Sequence, residues 1–499
     1  MEIVVPTTHG KVRGQEVDDT GGVAAFLGIP YAAPPVGRRR FHAPQPPEPW
    51  DGERDAFSFG PTAPKPGYPP ALAAILADPD VPGDGFLNLN VWTPAPGRDS
   101  ALPVMVWIHG GAFRNGSSAV PVYNGAAFAR DGIVCVTLNY RLGAEGFLLL
   151  PDGTANLGLL DQIAALRWVQ ENIAAFGGDP GNVTVFGESA GAMCVTTLMT
   201  VPRAAGLFHR VIAQSGAGHH ALPADIALRI TTRIAAHAEV PATADALRGA
   251  DPRRLQEAVT AVQREFTGGH SREEWGEAAG GGMVLMPVVD GDLLPARPID
   301  AAAAGAGTEY PLLTGTNAEE FRLYLVPTGI SDSVPEAALP ALLADCGPDP
   351  REVVAVYGEA LPDASPGDLL AAVLTDQTFR IPAVRMAEAR AAHGAPTWVY
   401  DFDWRSPAFE GRLGACHALE IGFVFDNLAE GSIGGTVAGP QHLADEMHAA
   451  WVAFARDGSP GPAWPAYGAD RAVLRFAADG SGVVHDPRAA ERRLWNGLR

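Results

Sequence analysis

Val183-Thr-Val-Phe-Gly-Glu-Ser-Ala-Gly191 joins a β-branched run to a serine flanked by glycines. Val183–Phe186 predicts a buried strand, and Ala190–Leu198 predicts a helix of small and apolar residues. The G-x-S-x-G between them calls for a sharp turn. Gly187 and Gly191 lack the Cβ atoms that would collide where the backbones cross. Such a turn lifts the Ser189 hydroxyl above the sheet edge, near the positive end of the following helix.

Outward from this segment, apolar runs recur at Val104–Ile108, Ile133–Leu138, Val211–Ala213, Leu312–Thr314, Trp398–Phe402 and Val473–Phe476. Leu87–Trp92 reads as a further strand. Leu159–Ile173 carries apolar residues at helical spacing. Buried strands alternating with helices predict an α/β protein whose mostly parallel central sheet is covered on both faces. Glu2–Val5, Lys11–Gln15 and Gly22–Leu27 predict a small N-terminal β region. Prolines exclude a regular helix from Gly28–Pro49 and make 59–85 an ordered excursion with one short helix, Ala71–Leu76. The Ala-rich, charged regions 221–282 and 331–395 predict helical insertions over the ligand-binding edge. The expected organisation is a single catalytic domain over 1–499.

The chain has 499 residues, 47% of them hydrophobic, and a net charge of −21. That balance fits a packed core and disfavours nucleic acid or anionic membrane as partners. No apolar run has the length of a membrane span, and the first residues carry no secretory h-region, so a cytoplasmic location is expected. Four cysteines are too few and too scattered for a disulfide framework or a Cys-rich metal site. Nothing in the sequence sets an oligomeric state.

A serine hydroxyl is a weak nucleophile and needs a base, itself oriented by a carboxylate. Among the histidines after Ser189, His417 stands out because Cys416-His-Ala-Leu-Glu-Ile-Gly422 surrounds it with small and apolar residues. For the acid, Glu319, Glu320, Asp290 and Asp292 all stand between serine and histidine. A developing oxyanion needs preorganised N–H groups. His109-Gly-Gly-Ala-Phe113, directly after a strand, supplies a glycine-rich turn, and Ala190 lies beside the serine. Ser215 is either a loop serine or a supporting hydrogen-bond partner. Phe113 is a candidate pocket wall or a core residue. Arg114 either reaches toward an acidic substrate group or belongs to an ordinary salt bridge or a solvated loop.

Taken together, these segments resemble the type-B carboxylesterases, a cholinesterase-like family of the α/β-hydrolase fold, and the bacterial para-nitrobenzyl esterases in particular. The resemblance starts at Phe26-Leu-Gly-Ile-Pro-Tyr31. It continues through Leu89-Asn-Val-Trp-Thr-Pro94, the His109 turn, Asn139-Tyr-Arg-Leu-Gly143, Asn156-Leu-Gly-Leu-Leu-Asp-Gln162 and Phe176–Gly191. Gly315-Thr-Asn-Ala-Glu-Glu320, Asp376-Gln-Thr-Phe379 and His417–Asn427 complete it. It implies Ser189 as nucleophile, Glu320 as acid and His417 as base, with oxyanion donors at Gly111, Ala112 and Ala190. Glu319 is the fallback acid, and Glu188 occupies the family's position beside the serine. Two departures stand out. Phe321 follows Glu320 where the family commonly has glycine, and the family's early disulfide cysteine is absent.

The expected activity is hydrolysis of small uncharged esters with short or medium acyl chains, with water as second substrate and no metal or cofactor. Amide or carbamate hydrolysis by the same residues, and a noncatalytic interaction protein on the same fold, are the alternatives.

Overall fold

The computed structural model describes residues 1–17, 22–97, 99–267, 275, 282–431, 433 and 439–498. Glu2–Thr7, Gly10–Glu16 and Ala24–Pro30 form an antiparallel flank, joined through Asn88–Thr93 to a parallel block. In spatial order that block is Val134–Leu138, Leu102–Ile108, Gly178–Glu188, Arg210–Gln214, Leu312–Asn317, Thr397–Phe402 and Ala472–Phe476. Gly482–His485 pairs antiparallel with the last of these. This is the α/β-hydrolase fold, with the predicted parallel sheet and N-terminal β region in place.

The central strands are buried over most of their length because both faces are covered. Val104, Val106 and Ile108 enter one hydrophobic core, while Met105 and Trp107 enter the other. Ala190–Leu198 is buried along its whole length, which explains its small residues. Parallel strands place their C-terminal ends on one edge. His109, Ser189, Ser215 and the turn leading to Glu320 therefore gather there from four separate strands.

The predicted strands are present, several extended by a few residues. Four strands among the described residues were not predicted: Glu53–Asp55, Gly482–His485 and the separate parallel pair Leu222–Pro223 and Val288–Val289 are all four residues or shorter, and pairing alone defines them. The short helix expected at Ala71–Leu76 is a single turn at Pro70–Ala73. Region 221–282 contains Ala224–His237, Ala244–Gly249 and Pro252–Thr267, and its residues 268–274 and 276–281 lie outside the described residues. Region 331–395 contains Pro350–Ala360, Pro366–Thr375 and Ile381–Ala391, with a π-helical turn at Asp376–Arg380. No helix among the described residues is long and apolar enough to cross a membrane.

The proline-rich excursion is closed on itself by a buried ion pair between Lys65 and Asp78, whose side chains are 4% and 9% exposed. Asp78 also accepts the Gly116 N–H at 3.2 Å, tying the excursion to the loop after Leu102–Ile108. Lys65→Met would strand a buried carboxylate and is expected to destabilise the protein by about 3–5 kcal/mol. Lys65→Met/Asp78→Asn should recover much of that loss. Thermal inactivation of the two variants checks this; equal stability in both would contradict it.

Candidate active site

Ser189 occupies the turn with φ 55° and ψ −123°, a conformation that costs a residue with a Cβ of order 1–3 kcal/mol. The surrounding glycines leave no alternative path. A Cβ on Gly191 would overlap the Ile108 carbonyl, and one on Gly187 would lie 2.6 Å from the same oxygen. The backbone thus turns tightly against the neighbouring strand and presents the serine to a cavity of about 130 Å³.

The same cavity is lined by His417, Glu188, Gly110, Gly111 and Ala112. Positive φ values at Gly111, Ala112 and Phe113 curl the glycine-rich loop. The Gly111 carbonyl holds the curl by accepting N–H groups from Arg114 at 3.0 Å and Asn115 at 2.9 Å. Among the described residues, the N–H groups of Gly111, Ala112 and Ala190 donate no hydrogen bond. Unspent donors beside a serine match the requirement for receiving oxyanion charge. His109, in contrast, is buried and stacked on Tyr140, with its pKa lowered to about 4 chiefly by burial.

The His417 ring sits between two carboxylates. Nδ1 donates to Glu320 Oε2 at 2.6 Å, and Nε2 lies 2.9 Å from Glu188 Oε1. The second contact is close but poorly aligned, since Glu188 Oε1 has no hydrogen-bond partner by geometry. No hydrogen bond joins the ring to the Ser189 hydroxyl among the described residues. Burial alone would pull the imidazole pKa down, but the Glu188 and Glu320 charges outweigh it and hold the pKa well above its ordinary value. Burial pushes Glu188 upward, an effect that His417 partly offsets.

Glu320 is fully buried, and its other oxygen accepts the Asn317 N–H at 2.7 Å. Glu319 points elsewhere, toward Arg322 at 3.1 Å and the Ala415 N–H at 3.0 Å. Asp290 accepts from Asn156, and Asp292 pairs with Arg203, so neither touches the ring. Phe321 keeps φ at −70°, so this turn has no need of glycine. Its ring packs 6.0 Å from Phe379, which lies 4.5 Å from the His417 ring.

Three further candidates have definite places in the structure. Phe113 is fully buried against Phe147 and does not line the Ser189 cavity; it is a core residue. Ser215 is buried behind the site, where it donates its N–H to the Gly315 carbonyl and lies near the Tyr400 phenol. Arg114 donates to Thr260 at 2.9 Å. One group had no assigned role: Glu420, three residues after His417, takes the side-chain amides of Asn317 at 2.7 Å and Gln214 at 3.1 Å. Burial pushes its pKa up to about 8. Its nearness in sequence to His417 was the available signal.

Serine, imidazole and carboxylate thus gather at the strand ends of an α/β-hydrolase fold, an arrangement that fits a carboxylic ester hydrolase. The chain belongs to the carboxylesterase family, whose model matches residues 1–495. Para-nitrobenzyl esterase of Bacillus subtilis (strain 168) is 37% identical, with 98% of each chain covered. Phenmedipham hydrolase of Pseudarthrobacter oxydans is 35% identical, with 97% of each covered. The crystal structure of carboxylesterase EST55 from Geobacillus stearothermophilus matches with a TM-score of 0.85 and 38% identity over 99% of each chain.

Phe321→Gly would remove a ring from the Phe379 stack and loosen the backbone after Glu320. A loss of about 1–3 kcal/mol is expected, read as a lower thermal-inactivation temperature. A variant as stable as wild type would refute this account of the turn.

Proposed function

We propose that the chain hydrolyses small uncharged esters by two-step acyl transfer through Ser189. In this reading, His417 takes the Ser189 proton as the serine oxygen attacks the ester carbonyl, and Glu320 holds the ring in the required orientation. The N–H groups of Gly111, Ala112 and Ala190 receive the negative charge that develops on the carbonyl oxygen. The imidazolium then protonates the departing alcohol. The acyl-serine forms as the ester C–O bond breaks. Water, deprotonated by His417, attacks the acyl-serine, and the serine leaves with its proton restored.

One observation carries this reading: the imidazole that Glu320 holds at 2.6 Å lines the same cavity as Ser189. Because Nε2 rests beside Glu188, productive attack requires a short ring movement toward the serine. Such tightening on substrate binding is common. The cavity volume favours short and medium acyl groups. The 35% identical phenmedipham hydrolase gives reason to include carbamates in a substrate panel. The four cysteines are buried and unpaired, which supports a reducing, cytoplasmic compartment. Regions 221–282 and 331–395 are read as insertions on one catalytic domain. Phe379 and Thr260 bring them against the site edge.

Ser189→Ala is expected to lower turnover of a short-chain ester roughly ten-thousandfold or more, without loss of fold. Glu320→Gln should cost about as much, and Glu319→Gln far less. A reversed order for the two glutamates, with both variants folded, would reassign the acid.

The pH profile tests the double carboxylate contact. The base must be neutral, so kcat/KM rises as His417 loses its proton. Glu188→Gln removes one negative neighbour, destabilises the imidazolium and should move that limb to lower pH. A limb that stays in place, or moves upward, would contradict the arrangement.

A further inference from the structure

The loop that turns Gly110, Gly111 and Ala112 toward Ser189 presents Arg114 to a second cavity, of about 80 Å³. Arg40, Arg141, Glu145, Arg253 and Gln256 are also on its wall. Arg141 is fully committed: it binds Asp161 through Nε at 2.8 Å and Nη2 at 2.7 Å, and gives Nη1 to the His42 carbonyl. Arg40 spends Nε on Glu145 at 2.7 Å and Nη1 on the Arg248 carbonyl at 3.0 Å. Its Nη2 is buried with no partner, and so is Gln256 Nε2.

Arg114 has only the neutral Thr260 hydroxyl, and no carboxylate pairs with it among the described residues. Burial, with Arg264 nearby, lowers its pKa from the ordinary guanidinium value. Arg253, in the first turn of Pro252–Thr267, likewise has no ion-pair partner among the described residues. Arg114 and the solvent-exposed Arg253 thus line the wall without a carboxylate partner, and Arg40 and Gln256, on the same wall, each keep a buried donor with no acceptor. Its one acid, Glu145, is already engaged. In a chain of net charge −21 this is a local reversal of sign. Buried donors without acceptors are costly, and planar guanidinium forks match planar carboxylates.

We propose that the cavity walled by Arg40, Arg114, Arg253 and Gln256 binds a carboxylate group, a site distinct from the Ser189 cavity but sharing its loop. The volume accommodates a few water-sized groups, enough for a carboxylate. Two sources carry that chemistry: a free carboxylic acid, the product class of ester hydrolysis, or a remote carboxylate on the ester itself. Either would bear on the loop whose N–H groups face the serine.

Calorimetric titration of the full chain with sodium glutarate, using glutaramide as the uncharged control, tests the proposal. The same titration of Ser189→Ala reads binding independently of ester hydrolysis, so failure of the acyl-transfer reading leaves this test intact. Glutarate is expected to bind saturably in both proteins and glutaramide not at all, with affinity falling as salt rises. Arg114→Gln and the more exposed Arg253→Gln should each weaken binding about ten- to hundredfold.

Kinetics with an uncharged para-nitrophenyl ester and its ω-carboxylate counterpart separates the sources. A kcat/KM preference for the acidic ester that shrinks in Arg114→Gln assigns the site to substrate. Glutarate-dependent turnover of the uncharged ester, without that preference, assigns it to free acid. Absence of saturable glutarate binding, equal binding of glutaramide, or undiminished binding in both folded arginine variants would overturn the proposal.

Discussion

The near-contact of the Gly191 α-carbon with the Ile108 carbonyl is the constraint on which the functional edge depends. It brings the start of Ala190–Leu198 down onto the adjacent strand and forces Ser189 into a conformation that side chains avoid. The same closeness lets the loop from Leu102–Ile108 run beside the serine. A Cβ on Gly110 would stand 3.0 Å from that of Ser189. The strained residue is thereby flanked by the unspent N–H groups of Gly111, Ala112 and Ala190. Packing of the buried helix holds the strain in place.

Electrostatics at this edge are unbalanced by design of the neighbours. Glu188, Glu320 and Glu420 stand near a single imidazole, in surroundings that strip them of water. Glu320 is satisfied by the ring and by the Asn317 N–H, while Glu420 is met by two neutral amides. Glu188 alone retains an oxygen without an aligned donor. Of the three carboxylates, it has the weakest hold on its surroundings, and it touches the nitrogen that would have to turn toward the serine.

Much of this was legible in the chain because it is local. Val183–Gly191 contains its strand, turn and helix within one window, and the glycines announce the crossing before any partner strand is known. The parallel sheet followed from apolar runs that only burial on both faces explains. Choosing between Glu319 and Glu320 was harder, since adjacent side chains diverge and only the fold says which enters the interior. Resemblance favoured Glu320, whereas the residues alone left four acids open. Phe113 could not be placed by composition, as an aromatic serves a core and a cavity wall equally well. The partner of Arg114, a threonine 146 positions away on an insertion helix, is invisible to any local pattern. Edge strands such as Glu53–Asp55 carry no hydrophobic signature at all.

The excursion over 59–85 contributes Tyr68, Ile75 and Leu76 to the wall around Ser189, yet it contains little regular structure of its own. It is closed by a buried staple, Lys65 to Asp78, and holds no strand of the sheet. A wall held in this manner is modular: side chains between the two staple residues can be exchanged to reshape the chamber while the elbow and its strands stay untouched. A library confined to this segment would thus vary the chamber's wall and leave the elbow's own sequence unchanged.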